Sequence, residues 1–218
     1  MKQKLIGLAA ILFLLTACNN EKKGEADKKD SPGTDSTAEN QDMKPKEPLD
    51  SAAMAKAWMD FATPGAMHQW MAGHAGTWEG EVSQWMDPAA PPVKSMASSE
   101  IKSIMNGLYL TDQFSGNMMG QPFSGQAVMG YDNVKKKFVS TWIDNMGSGI
   151  IYMEGTYDEA SKTLHLSGKQ SDPSTGGQTD IRQEQKWLDN DTYVLSMFGT
   201  GHDGKEAKFM EGTFKRKK

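Results

Sequence analysis

From Gly76 to the end of the chain, apolar and polar residues alternate in short runs separated by turn-forming residues. A period of two is typical of strands with one buried face, and Gly, Asn and Asp at the interruptions are typical of tight turns. The pattern predicts strands at about 76–86, 98–106, 108–116, 123–131, 137–144, 149–158, 162–170, 178–188, 192–199 and 206–216. The connections are too short for crossover helices, so strands adjacent in sequence are also expected to pair.

An open sheet of this size would leave two exposed edges, and closing the sheet on itself removes them. We therefore predict a mainly β fold, a closed antiparallel up-and-down β-barrel of about eight to ten strands. Short helices precede it. Apolar side chains recur three and four residues apart over 54–61 and again over 67–74, which predicts two helices that each pack through one face. Thr63 and Pro64 are expected to cap and begin the second helix.

Two of the predicted strands, 137–144 and 178–188, have inner faces that are partly polar. All the charged side chains of 180–187 fall on one face, so the opposite face points inward and carries Gln183 and Gln185 between Ile181 and Trp187. Buried amides need partners in the protein, in water or in a ligand. A barrel of about eight strands can hold one small ligand, although a water-filled or plugged interior is equally compatible with the pattern.

A ligand in such a pocket would contact aromatic and polar side chains on the inward faces. The predicted ligand-binding residues are Trp85, Tyr131, Trp142, Asp144, Asn145, Gln183, Gln185 and Trp187. Asp144 ends its strand where the barrel mouth would lie, so we expect it to matter most. The alternative is that Asp144 and Asn145 simply cap the following turn, as Asx residues often do.

The N-terminus has the pattern of an export signal over residues 1–17, with Lys2 and Lys4 before an apolar stretch too short to span a membrane. It ends in Leu-Thr-Ala-Cys, which resembles the lipobox of bacterial lipoproteins. Cys18 is the only cysteine, so we predict that it carries the lipid and that the chain has no internal disulfide. Asn19 favours the outer membrane, on the periplasmic or surface face of the bacterial envelope.

The segment that follows is almost free of large apolar side chains and rich in Lys, Glu, Asp and Ser. Such a segment cannot offset its ordering entropy, so residues 18–50 are predicted to be a disordered tether before a folded domain at 51–218. The net charge is −4, with no dominant basic block. Nucleic acid is therefore not an expected partner.

Gly76-Thr77-Trp78 opens the first predicted strand and Arg216 closes the last. In a closed barrel these positions are neighbours, and Arg216 would stack on Trp78 as a barrel-closing structural pair. The arrangement resembles the Gly-x-Trp signature and closing Arg of lipocalins and other calycins.

Longer motifs resemble the DUF1579 family of bacterial proteins of unknown function. The motifs that carry this resemblance are 67–68, 76–81, 85–92, 116–123, 130–133, 141–149 and 208–216, and the run Thr-Trp-Ile-Asp-Asn-Met-Gly-Ser-Gly at 141–149 is specific. One departure is Asn106-Gly107-Leu108, where a Gly-Gly-Arg type of turn is expected. The resemblance implies a calycin-like barrel and brings no established activity.

Three functions remain open at this stage. We favour a small-molecule binding module that is tethered in the envelope, and the alternative is a structural or interaction protein without a ligand. A hydrolase-type enzyme that uses Asp144 and His68 is the least favoured, because no nucleophile, phosphate-binding or metalloprotease motif is present.

No cofactor or metal is expected. Haem binding through a late histidine would need His202, which falls in a His-Asp-Gly turn. Copper binding would need a cluster of thioethers, but Met118 and Met119 are adjacent on a strand and so face opposite ways. His68 and His74 are six residues apart, close to opposite sides of a helix, and do not form a metal pair.

Overall fold

The structure is a computed structural model that describes residues 50–118, 120–201 and 204–218. The predicted signal peptide, the predicted lipidation site Cys18 and the predicted tether up to residue 49 lie outside the described residues, as do Met119 and His202. Asp50, the last residue of the predicted tether, caps the first helix, since its carboxylate accepts from the Ala53 backbone N–H at 2.8 Å. No helix in the described part of the chain is long and apolar enough to cross a membrane.

Two helices precede ten strands. The helices are α1 (Ser51–Ala62) and α2 (Ala66–Ala72). The strands are β1 (Gly76–Gln84), β2 (Val93–Ile104), β3 (Tyr109–Met118), β4 (Gln121–Asp132), β5 (Lys137–Asp144), β6 (Ile151–Asp158), β7 (Thr163–Asp172), β8 (Gly177–Asp189), β9 (Thr192–Thr200) and β10 (Glu206–Arg216).

The strands form a closed barrel in which each pairs antiparallel with its neighbours in sequence and β1 pairs with β10. This confirms the predicted fold. The largest difference is β2, which begins at Val93 rather than at 98. Residues 93–97 pair with 80–84 of β1, so a segment that follows a proline pair still joins the sheet.

The barrel closes where Trp78 lies directly opposite Arg216 in the register. The Arg216 guanidinium lies 4.2 Å from the centroid of the Trp78 ring, which is fully buried. The same guanidinium donates to the backbone carbonyls of Ala75 (2.6 Å) and Gly73 (3.2 Å) and to the Asp191 carboxylate (3.0 Å). It therefore holds the seam and also ties the end of α2 to the barrel.

Helix α2 covers one end of the barrel, which we call the helix end. His68 and Met71 of α2 are buried, and the Trp70 ring contacts the rings of Phe138 and Trp187. Phe138 lies near the start of β5 and Trp187 near the end of β8, so both belong to the same end of an antiparallel barrel. The opposite end, formed by the β1–β2, β3–β4, β5–β6, β7–β8 and β9–β10 connections, is the loop end.

Helix α1 does not pack as its apolar spacing predicts. None of its residues is buried, and Trp58 and Met59 are 66% and 70% exposed. Its C-terminal end is held by the Asn133 side chain, whose amide donates to the carbonyls of Phe61 (3.1 Å) and Thr63 (3.0 Å). An amphipathic pattern identifies a face that can be buried, but α2 already occupies the barrel end.

The predicted start of α2 is also wrong by two residues. Gly65 is the N-cap of α2, whereas Thr63 is the C-cap of α1 and Pro64 lies between the helices. The Gly65 backbone N–H donates to His68 Nδ1 at 3.0 Å, so a histidine three residues into the helix does the capping.

Candidate functional site

A cavity of about 250 Å³ lies inside the barrel. All ten strands and α2 contribute to its lining, because each strand turns every second side chain inward. Most of the wall is apolar, and half-buried rings such as Phe123 and Trp142 lie in it together with Met197 and Met210.

Strand β8 supplies the amides that the sequence pattern placed on its inner face. Gln183 and Gln185 line the cavity, and neither side chain is hydrogen-bonded to another described residue. Their neighbours on β9 are Met197 and Leu195, whose apolar side chains cannot pair with the amides. Both glutamines are half-buried and form part of the cavity wall.

Trp187, also on β8, lines the cavity near the helix end. Its side chain is 6% exposed, and the indole Nε1 is the one buried side-chain nitrogen or oxygen without a hydrogen-bond partner in the described part of the chain. The ring stacks on His74, with the two centroids 3.6 Å apart. Burial and the nearby Arg216 charge lower the pKa of His74 to about 4, so this ring is neutral at neutral pH.

Asp144 lines the cavity, but both of its carboxylate oxygens are occupied. Oδ2 accepts from Trp142 Nε1 at 2.7 Å, and Oδ1 accepts from the backbone N–H groups of Met146 (2.9 Å) and Gly147 (3.1 Å). The geometry is that of an Asx turn cap which also orients the Trp142 ring. Asp144 therefore positions an aromatic wall of the cavity and does not offer a free carboxylate.

The Trp142 ring needs a glycine beside it. A Cβ atom on Gly125 of β4 would lie 2.2 Å from the Trp142 ring. The Phe123 ring stacks on the Trp142 ring, with 6.3 Å between the centroids and an angle of 23° between the planes. This pair forms a flat aromatic surface near the loop end.

Three of the predicted ligand-binding residues do not line the cavity. Trp85 follows Gln84, the last residue of β1, and its backbone N–H donates to the Phe209 carbonyl at 2.9 Å. Asn145 links β5 to β4, because its side chain accepts from the Ser124 N–H and donates to the Pro122 carbonyl, each at 3.0 Å. Neither of these two side chains is part of the cavity wall.

Tyr131, the third, faces inward but packs below α2. Its ring lies 5.8 Å from that of His68 and 5.0 Å from that of Phe138. His68 is also hydrogen-bonded to the Tyr131 backbone, and burial lowers its pKa. Phe138, opposite Tyr131 in the register, is six residues from Asp144, which is roughly 20 Å along a strand. His68 and Asp144 therefore lie at opposite ends of the barrel and form no acid/base pair.

The site contains a polar group that the sequence analysis missed. Asp112 of β3 lines the cavity, and its Oδ1 accepts from the Ser99 hydroxyl at 2.6 Å. Ser99 is also hydrogen-bonded to the hydroxyl of Tyr193 on β9. Since the single Ser99 proton is directed at Asp112, its oxygen is the acceptor for Tyr193.

Burial raises the pKa of Asp112 to about 6, partly offset by the hydrogen bond from Ser99. Burial and the Asp112 charge also raise the pKa of Tyr193, so this hydroxyl stays protonated. The signal for Asp112 was present in the sequence, because it alternates with Leu110 and Phe114 on one face of β3. A carboxylate between two core residues marks either a buried network or a site.

Among the described residues, no three His, Cys, Asp or Glu side chains come together in a way that could hold a metal ion. The cavity thus offers aromatic surface, free amides and a carboxylate network. It is suited to binding a small molecule through stacking and hydrogen bonds.

Comparison with known proteins places the chain in a family. The family model described as "Protein of unknown function (DUF1579)" matches residues 63–216. The chain belongs to the DUF1579 family. The match begins between α1 and α2 and ends at Arg216, so it covers α2 and the whole barrel. No curated protein is significantly similar to this DUF1579 member.

A solved structure shows the same kind of fold at low sequence identity. The crystal structure of Rv2717c from M. tuberculosis is similar with a TM-score of 0.54 and 14% identity, over 72% of this chain and 100% of that one. A redesigned beta barrel matches over 68% of this chain and 95% of its own, with 15% identity and a TM-score of 0.35. The similarity to Rv2717c supports the barrel fold alone.

Proposed function

We propose that this DUF1579 protein binds a small, partly polar, aromatic or amphipathic molecule inside its barrel. The observation that carries the proposal is a cavity of about 250 Å³ in which the amides of Gln183 and Gln185 have no partner among the described residues. Neither amide is among the fully buried unpartnered atoms of the described residues, so both can be reached by a molecule in the cavity. An interior built only for stability would place apolar side chains at these positions.

The ligand would lie between an aromatic wall and a polar wall. Trp142 and Phe123 supply stacking area, with Trp142 fixed by its hydrogen bond to Asp144. Gln183 and Gln185 supply donors and acceptors that orient the molecule. Ligand cavities for drug-sized molecules measure about 300–1,000 Å³, so a smaller compound with one ring fits best.

A binding assay with a neutral aromatic alcohol tests this proposal. The probe is 2-phenylethanol, the protein is the chain from Asn19 onward without lipid, and the measurements are tryptophan fluorescence and calorimetry. Gln185→Leu should weaken binding at least threefold, because it removes an orienting amide. Gln126→Leu, the same exchange at an exposed position of β4, is the matched control and should leave the affinity unchanged.

An unaltered emission spectrum with 2-phenylethanol and with a wider set of single-ring compounds would contradict the proposal. The interior would then be a structural feature. The alternative function, an envelope protein that interacts through its surface, would be preferred.

We further propose that the protein is lipid-anchored through Cys18 in a bacterial cell envelope, at the outer membrane where one exists. The support is the lipobox-like Leu15–Cys18 and the single cysteine of the chain. Cys18→Ala should release the protein from membranes or leave the precursor unprocessed, which fractionation and mass measurement report. Full membrane retention of a mature-sized Cys18→Ala product would contradict the anchor.

A further inference from the structure

The charged groups of the cavity wall are of one sign. Its titratable lining residues are His74, Asp112, Asp144 and Tyr193, and no Lys or Arg of the described chain lines it. His74 is neutral at neutral pH and Tyr193 keeps its proton. An anionic ligand would find no opposite charge, whereas a cationic one would find carboxylates.

The two carboxylates differ in what they leave free. Asp144 uses both oxygens, one for Trp142 and the other for the turn that follows. Asp112 uses Oδ1 for Ser99, and its Oδ2 has no hydrogen bond to a described residue. Trp187 Nε1 is the one fully buried side-chain nitrogen or oxygen without a partner in the described chain. Asp112 Oδ2 is therefore not fully buried, and it is in contact with the cavity.

The position of Asp112 sets where a ligand would place its polar end. Ser99 lies opposite Trp78 in the β1–β2 register, and the Trp78 ring is 5.0 Å from that of Tyr193. Ser99 and Tyr193 thus lie beside Asp112 near the helix end, where the Trp187 ring is 4.8 Å from that of Tyr193. The flat surface of Trp142 and Phe123 lies toward the loop end. A molecule with a ring at one end and a donor at the other would span the two.

We infer that the ligand carries a primary ammonium group, which the Asp112 carboxylate receives near the helix end of the cavity. This inference rests on the proposed function and names its ligand class, a small aromatic or amphipathic amine. The ammonium would donate to Asp112 Oδ2, while Ser99 keeps Oδ1 in place. A charge-assisted hydrogen bond of this kind is about twice as strong as a neutral one.

The pH dependence of binding follows from the groups around Asp112. From β2 it faces Ser99, from β4 its register partner Ala127, and from β9 the Tyr193 hydroxyl. The other titratable groups on the same wall are His74 after α2 and Asp144 on β5. Between pH 5 and 7.5 His74 stays neutral, because its pKa is about 4, so Asp112 is the group that changes its charge near the inferred ammonium site.

The experiment compares three probes that share a phenyl ring, namely 2-phenylethylamine, 2-phenylethanol and phenylacetate, by calorimetry and tryptophan fluorescence at pH 7.5 and pH 5. The amine should bind at least tenfold more tightly than phenylacetate at pH 7.5. Its apparent Kd should rise about tenfold at pH 5, since only the ionised fraction of Asp112 is competent. Binding of 2-phenylethanol should change little with pH.

Asp112→Asn keeps the shape of the side chain and should remove both the preference for the amine and its pH dependence. Asp180→Asn, an exposed aspartate on β8, is the matched control and should leave both unchanged. Ser99→Ala, which removes the partner of Oδ1 but keeps the carboxylate, should retain the preference for the amine. If Asp112→Asn does not fold, the pH series on the unaltered chain decides the question by itself.

The outcomes separate this inference from the proposed function. If 2-phenylethanol binds but the amine binds no better than phenylacetate, or if its affinity does not depend on pH, the amine inference is overturned and the binding function stands. If none of the three probes binds, both are overturned.

Discussion

The helix end and the loop end of this barrel are built on different principles. At the helix end Trp78 and Phe214 are fully buried, and the Trp78 Nε1 donates to the His74 carbonyl at 3.1 Å. Arg216 makes four hydrogen bonds there and covers the Trp78 ring. Toward the loop end the rings of Phe123 and Trp142 are only half-buried. The amides between the two ends have no partners among the described residues.

If the proposed function holds, stability and binding belong to separate parts of one barrel. Close-packed, hydrogen-bonded side chains stabilise the fold, whereas polar groups that are kept free for a ligand make the folded state less stable than it would otherwise be. Asp112 and Trp187 mark the boundary between the two regions, since Trp187 Nε1 is buried without a partner and Asp112 has one carboxylate oxygen in contact with the cavity. Substitutions at the helix end should therefore destabilise, and apolar or neutral substitutions in the cavity should stabilise.

The largest effect is expected for Trp78→Ala. Removing a fully buried indole leaves a cavity and exposes the guanidinium of Arg216, so the free energy of unfolding should fall by about 3–5 kcal/mol. Urea denaturation followed by circular dichroism measures this loss. Trp85→Ala, half-exposed outside the cavity, is the control and should cost less than half as much. Equal losses for the two would remove the special role of the helix end.

Asp112→Asn should act in the opposite direction at high pH. The pKa of Asp112 is raised from 3.8 to about 6, and each pKa unit corresponds to about 1.4 kcal/mol. Protonated Asp112 stabilises the folded state fully below about pH 4, and this contribution of at most about 3 kcal/mol is lost as the pH rises through 6. At pH 8 the variant should therefore be more stable than the unaltered chain by about 1–3 kcal/mol.

The control for this prediction is the difference between the two stability curves from pH 4 to 8. His74, whose lowered pKa is about 4, contributes stability that is lost as the pH falls from 6.5, which opposes the Asp112 slope. This contribution is common to both proteins and cancels in the difference. A constant difference across the pH range would show that Asp112 does not titrate as its burial implies.

Arg216→Ala should lower the free energy of unfolding by about 1–2 kcal/mol. It removes a cation–π contact and charge-assisted hydrogen bonds to Ala75 and Asp191, but the side chain is 23% exposed, so water replaces part of what is lost. Thermal unfolding measures the change. Arg216→Lys should recover only a part of it, because an ammonium cannot bond to several carbonyls in one plane. Complete recovery by Lys would reduce the role of Arg216 to its charge.

The smallest effect is expected for Gln185→Leu, which should raise the free energy of unfolding by up to about 1 kcal/mol. The substitution replaces an unpartnered amide with an apolar group of similar size. Gln126→Leu on the outer face should stay within about 0.5 kcal/mol of the unaltered chain. A clear loss of stability in Gln185→Leu would show that the amide has a structural partner and would weaken the division between the two regions.

The barrel was predictable because a period of two and short turns leave few topologies open. Ten alternating segments with no room for crossovers must form a meander, and a meander of this length closes to protect its edges. Trp78 in the first strand and Arg216 in the last were expected to meet for the same reason. The inward direction of Gln183, Gln185 and Trp142 also follows from alternation alone.

Alternation and local spacing do not determine how the helices pack or where side chains beyond the strand ends point, and here the tertiary structure decided. The spacing of α1 and α2 is alike, yet α2 fills the barrel end and α1 lies exposed, because one opening accepts one helix. Trp85 and Asn145 fall just past the ends of strands, where the alternation no longer fixes a direction. Asp112 is an inward residue like its neighbours, but its contact with Ser99 joins positions thirteen residues apart.

By itself, then, the sequence determined the order of the strands, their pairing and the side of the sheet that each side chain takes, since these follow from periods and connection lengths along the chain. Only the tertiary structure decided which inward polar groups are satisfied. Asp144 is held by Trp142 and a turn, whereas Gln183 and Gln185 are not held by any described residue. Hydrogen-bond partners depend on distances across the barrel, and a linear pattern contains no such distances.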